Sequence, residues 1–247
     1  MGPVNARARI RGMSAKSAAL VENLDRVRER ISLAAARAGR RAEEITLIAV
    51  SKTHSADKIQ QLYEAGVRHF GENRVQERES KLSQTAGLQA DWHMIGHLQK
   101  NKAARAVQLF RSIDSVDSLA LAERLDRAAS ESASRLRVLI EVKLDPEPAK
   151  SGAAAQELPS LVAAVGRLPH LELRGLMGIP PYFDNPEEAR PFSRRLRELR
   201  DALRAEMGPD ALPVLSMGMS HDFEIAIEEG ATEIRVGTAL FGARGEP

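Results

Sequence analysis

The stretch ITLIAVSKTHSADKIQQLYEAGVRHFGENRVQE, residues 45–77, contains one full period of the pattern that decides the fold. Ile45–Val50 is a short apolar run bounded by polar residues, which reads as a buried strand. Ser55–Ala65 reads as a helix, and Gly66 ends it. Val67–Phe70 is a second short strand, and Asn73 is placed to cap another helix with Gln76 three residues on. Strand, helix and strand in so few residues describe a parallel βαβ unit, because parallel neighbours need a crossover.

The same alternation continues in both directions. Upstream, Leu20, Leu24, Val27, Ile31 and Ala35 fall at helical spacing, with Gly39 as a stop. Downstream, Trp92–Ile95, Ser112–Val116, Leu136–Val142, Leu171–Met177, Val214–Met217 and Glu233–Val236 read as strands. Between them lie helical stretches at His97–Leu109, Ser118–Ser132, Gln156–Leu168 and Phe223–Glu229, and a long helix opened by Asn185 and Pro186. About eight strand–helix pairs match an α/β fold of the single (β/α)8 TIM-barrel type with an extra N-terminal helix. A doubly wound sheet is the other arrangement of such strands. No Pro/Gly/Ser-rich linker divides the chain, so residues 14–247 are expected to form a single domain. Residues 1–13 are expected to be a basic, flexible arm.

Composition narrows the function. At 247 residues the chain is long enough to bury a large core. It has no cysteine, which excludes disulfide scaffolds, cysteine–zinc sites, iron–sulfur clusters and thiol nucleophiles, and suits a cytoplasmic protein. No apolar run nears the ~18 residues that span a bilayer, and the first residues lack the apolar core of a secretory signal. With 36 Lys+Arg against 34 Asp+Glu, charge gives no support to a nucleic-acid or membrane-surface role. An adaptor that binds RNA through the basic arm and Lys100/Lys102 is the weakest of the alternatives.

In a barrel, chemistry collects at the C-terminal ends of the strands. Lys52 ends the first strand in AVSKTH. A lysine at that rim either is partly desolvated, which frees its amine for Schiff-base chemistry, or simply begins a loop. Asn73, in GENRVQE, is a pocket residue or only a helix cap. WHMIGHLQKNK, residues 92–102, holds His93 and His97 four apart, but in a strand-to-loop setting and with no nearby carboxylate, so a metal site is not expected. LSMGMSHD, residues 215–222, follows the seventh strand and opens a helix with Ser216, Ser220 and a glycine. IRVGTALFG, residues 234–242, puts Gly237 and Thr238 just after the eighth. Barrels often hold phosphate between those two loops. A strand-one lysine facing such a nest describes a phosphorylated aldehyde held as an imine.

In these residues the chain resembles the YggS/PROSC family, the pyridoxal-phosphate-binding or pyridoxal phosphate homeostasis proteins. The resemblance runs from about Ile45 to Gly242 through AVSKTH, FGENRVQE, WHMIGHLQKNK, the KSG at 150–152, GLMGIPP at 175–181, SMGMSHDFEIAI at 216–227 and IRVGTALFG. It departs at LDPEPA, residues 144–149, where the family more often has an Asn/Ser-containing segment, and in the extra N-terminal arm. The resemblance implies a barrel similar to the N-terminal domain of alanine racemase, often monomeric. It implies pyridoxal 5′-phosphate as cofactor, held as an internal aldimine on Lys52, with Ser216, Ser220, Gly237 and Thr238 around the phosphate. It further implies Arg235 near the pyridine nitrogen and Asn73 beside the ring.

An arginine at the pyridine nitrogen disfavours its protonation and weakens the cofactor as an electron sink. The related racemases also need a tyrosine from a further domain, and this chain has only Tyr63, which reads as packing, and Tyr182, at the rim or facing the pocket. The expectation is therefore a carrier with no catalytic residues. It would contribute to vitamin B6 and amino-acid homeostasis, with pyridoxal-phosphate-dependent apoenzymes as its partners. A racemase or related enzyme of low activity is the alternative.

Overall fold

The computed structural model describes residues 15–144 and 151–242. Eight parallel strands, β1 (Thr46–Val50), β2 (His69–Glu72), β3 (Asp91–Met94), β4 (Ser112–Val116), β5 (Leu136–Val142), β6 (Leu171–Gly178), β7 (Val214–Ser216) and β8 (Glu233–Val236), hydrogen-bond in chain order. The sheet closes because β8 lies beside β1, Thr46 against Glu233 and Ala49 against Val236. Closure excludes the doubly wound sheet, which leaves two free edges.

Helices α1 (Ala15–Arg37), α2 (Ala56–Glu64), α3 (Val75–Thr85), α4 (Ala103–Leu109), α5 (Leu119–Glu131), α6 (Leu158–Val165), α7 (Arg190–Met207), α8 (Phe223–Glu228) and the short α9 (Thr238–Phe241) surround the barrel. No helix among the described residues is long and apolar enough to cross a membrane. Most apolar burial lies between strands and helices, where Leu24, Ile59, Phe70, Leu125 and Phe223 are almost fully buried. Helix α1 packs on α2, α8 and α9 and covers the seam where the ring of helices meets itself. Its five apolar positions read from the sequence are all buried. Arg30 lies 4.4 Å over the Phe223 ring and donates to both Glu224 oxygens, and Asn23 Nδ2 donates to the Leu240 carbonyl at 2.8 Å.

Three local expectations change. The third helix begins at Val75, not at an Asn73 cap: Glu77, rather than Gln76, reaches back to accept from the Asn73 and Arg74 N–H groups at 2.9 and 3.0 Å. The helix expected from His97 starts at Ala103 after a single 3-10 turn, Lys100–Lys102. The segment before it is pinned instead of wound, with Gly96 pressed on the Asn73 backbone and its carbonyl accepting from Ser115 Oγ at 2.6 Å. Asn185 caps a 3-10 turn, Pro186–Ala189, which runs into α7. The arm at 1–13, Lys150 of KSG and most of LDPEPA lie outside the described residues.

Candidate functional site

At the C-terminal ends of the strands the barrel opens into a cavity of about 710 Å³. Lys52 lines it immediately after β1, in a turn whose next residue, Thr53, has φ +64°. Two lysines approach this strand end, and the structure separates them. Lys81, reaching in from α3, is buried and donates to the Ser51 carbonyl at 2.8 Å and to Glu72 Oε1 at 2.6 Å. Ser51 Oγ also donates to Glu72 at 2.8 Å. Burial pushes the Glu72 carboxyl up despite the opposing charge of Lys81. Lys81 is thus committed beneath the wall, and of these two lysines Lys52 is the one that lines the cavity, which Lys143 also lines from the end of β5.

Beside Lys52, in the loops after β7 and β8, stand Ser220, Gly237 and Thr238. Ser220 Oγ accepts from the Gly237 and Ala239 N–H groups at 3.1 and 3.2 Å, so two backbone donors converge on one oxygen position. Such convergence suits an oxyanion. The donors expected at the start of α8 are partly occupied, because the Met219 N–H is held by Asp222 Oδ1 at 2.6 Å. Gly218 (φ +93°) makes that turn possible, and a Cβ there would lie 2.6 Å from the Ala226 methyl.

Asn73 and Arg235 also line the cavity. Arg235 is 3% exposed and donates from Nη1 to Ser216 Oγ at 2.8 Å and from Nη2 to the Gly178 carbonyl at 2.9 Å. Ser216, expected at a phosphate, is fully buried and absent from the cavity lining; it is a prop for Arg235. Burial lowers the proton affinity of the Arg235 guanidinium, against the nearby carboxylates Asp114 and Glu141.

Glu141 is the residue sequence reasoning missed. It lines the cavity on β5, 7% exposed. Its carboxyl is pushed up to about 6, chiefly by burial and against the pull of Arg235, with Asp117 adding to the rise. The available signal was a lone acid inside the apolar strand LRVLIEV. His97 and Ser151 join the lining, while His93 lies below it, hydrogen-bonded to Asp114 and His69, so the two histidines do not share a site. Tyr182 lines the outer part of the cavity, 73% exposed and stacked on His221 with ring centroids 5.4 Å apart. Tyr63 packs under Arg68 and accepts from the Gln89 N–H, away from the cavity.

The model of the alanine racemase N-terminal domain family matches residues 22–245. The pyridoxal phosphate homeostasis protein of Aquifex aeolicus is 46% identical over 223 residues, 90% of this chain and 97% of that one. PipY of Synechococcus elongatus, solved without PLP and with PLP bound, is 41% and 40% identical with TM-scores of 0.81 and 0.80, covering 90% of this chain and 100% of its own. An alanine racemase of Clostridium difficile has the same fold at 15% identity and a TM-score of 0.73; the match covers 92% of this chain and 57% of the racemase.

Proposed function

This chain belongs to the pyridoxal phosphate homeostasis proteins, built on the alanine racemase N-terminal domain, and from that premise we propose that it holds pyridoxal 5′-phosphate on Lys52 and buffers or delivers it. One observation carries the reading: Lys52, the Ser220/Gly237/Thr238 cluster and Arg235 line one cavity although they come from opposite ends of the chain. The donor set fits the group, offering an amine for an aldehyde, converging donors for a phosphate and a buried cation for a ring.

In this reading the Lys52 amine adds to the aldehyde carbon and water leaves, forming a Schiff base that another amine can exchange. Ser220, Gly237 and Thr238 take the phosphate, with the Ser220 hydroxyl sharing the donors it now accepts. Arg235, fixed by Ser216 and Gly178, meets the pyridine nitrogen, and Asn73 lies beside the ring. When bound, the cofactor supplies an electrophilic carbonyl and an electron-withdrawing ring. A guanidinium at the nitrogen opposes ring protonation and leaves a weak electron sink. Tyr182, largely exposed on the rim, is poorly placed as a shielded proton donor. Both features favour a carrier without rapid turnover; the same proposal has it act as a monomer that supplies apoenzymes in the cytoplasm.

The test is spectroscopic. Protein as purified is expected to show the visible Schiff-base band, and borohydride is expected to fix the cofactor on the Lys52 peptide. A Lys52→Ala variant that folds and keeps the band overturns the assignment. Rapid solvent-deuterium exchange at an amino-acid α-carbon, lost in Tyr182→Phe, would instead establish the racemase reading.

A further inference from the structure

At the other end of the barrel interior lies a cluster that the proposed function does not use. His93 of β3, Asp114 of β4 and Glu233 of β8 each offer a ligand atom, all within 4.8 Å of one another. Because β8 stands across the barrel from β3 and β4, these side chains meet only by pointing inward. We propose that His93, Asp114 and Glu233 form a binding site for a divalent transition metal, of which zinc is the best match, tying β8 to β3 and β4 inside the barrel.

The donor set is one imidazole nitrogen and two carboxylates, which suits zinc and leaves a fourth position for water. His93 Nδ1 and Asp114 Oδ2 are 3.0 Å apart, near the roughly 3.3 Å edge of a tetrahedron with zinc ligands at ~2.0–2.1 Å. The outer contacts already aim these atoms. His93 Nε2 lies 3.1 Å from His69 Nδ1, so with a proton shared there an ion would take the place of the proton that Nδ1 shares with Asp114 Oδ2. The Ser112 hydroxyl donates to Asp114 Oδ1, so Oδ2, now facing His93 Nδ1, is the oxygen turned to the cluster.

The second observation pointing to a cation is Glu233. Its Oε2 is buried and finds no hydrogen-bond partner among the described residues, beside the fully buried Asp114. The two nearby arginines are turned elsewhere: Arg235 is held by Ser216 and Gly178, and Arg137 lies 3.8 Å from Asp91 and from Glu172. A divalent ion balances the two carboxylates, as a neutral water would not. Glu233 and His69 are only partly buried, which gives an ion a path from the N-terminal mouth. His97 lies at the cofactor end and is no partner of His93; the ligands proposed with His93 come from other strands.

The experiment uses the full chain, stripped with EDTA and titrated with Zn²⁺ by calorimetry, with thermal melts in parallel. Expected are one zinc per chain with micromolar or tighter affinity and a melting point several degrees higher at saturating zinc. Glu233→Gln, which keeps the shape, is expected to weaken binding at least tenfold and abolish the melting shift. His97→Gln, at the cofactor end, is expected to leave both intact, and so is Lys52→Ala, which separates zinc on these residues from zinc chelated by the cofactor. No saturable binding, binding unchanged in Glu233→Gln, or binding lost in His97→Gln overturns the proposal. Should His93→Gln fail to fold, Glu233→Gln at the partly open mouth still decides.

Discussion

Two buried acids, Glu72 beneath the cavity wall and Glu141 in it, are kept in opposite ways. Glu72 is paired with Lys81 and Ser51, so removing the cation alone strands a buried carboxylate. Lys81→Met is therefore expected to cost roughly 3–5 kcal/mol in urea unfolding, and the double variant with Glu72→Gln to recover most of it. Full additivity of the two losses would contradict the pairing. Among the described residues Glu141 has no cation within salt-bridge distance, and burial pushes its carboxyl up to about 6 from 4.5. The folded chain then binds a proton more tightly than the unfolded chain between those values, so stability falls as pH rises from 4.5 to 6. That loss is about 2 kcal/mol above pH 6. Glu141→Gln should match the parent at pH 4 and exceed its stability by up to about 2 kcal/mol at pH 7.5, as measured by denaturant midpoints; a pH-independent difference refutes the idea. Lys52 is legible in the sequence, because it punctuates a strand end, whereas the roles of Glu72, Lys81 and Glu141 are not. Glu72 and Lys81 gave no sign of each other, since a contact from helix to strand leaves no short spacing in the sequence.

At the scale of elements, apolar runs located the strands well, and β4, β5 and β8 match their expected limits. Helix starts were less legible because a single side chain chooses among neighbouring N–H groups, as Glu77 does at α3. Helix α1 is integral to the barrel. Leu24 is fully buried in its packed face, so Leu24→Ala is expected to destabilise the whole domain by ~2–5 kcal/mol in one cooperative transition. A separate early transition would show that α1 folds apart from the rest. Gly175 makes a sharper test: a Cβ there runs into the Val214 carbonyl on the neighbouring strand. Gly175→Ala is expected to lower the melting point by roughly 5–10 °C, since both strands belong to the closed sheet. This close approach is the physical reason for the first glycine of GLMGIPP.

For the whole molecule, the sequence by itself determined the order of the chain: alternating strands and helices, a lysine after the first strand and serine–glycine loops after the last two. Those signals are local, carried by spacing and by residue type within a few positions. Only the tertiary structure decided closure, because β8 can pair with β1 only once six strands have filled the space between them. Closure then assigned the side chains. It turned Ser216 away from the cavity and under Arg235, brought Glu141 into the wall, and placed Glu233 beside His93 and Asp114. Whether an inward-facing residue meets the cavity or the barrel floor depends on the stagger between strands, a property of the assembled sheet that no single segment contains.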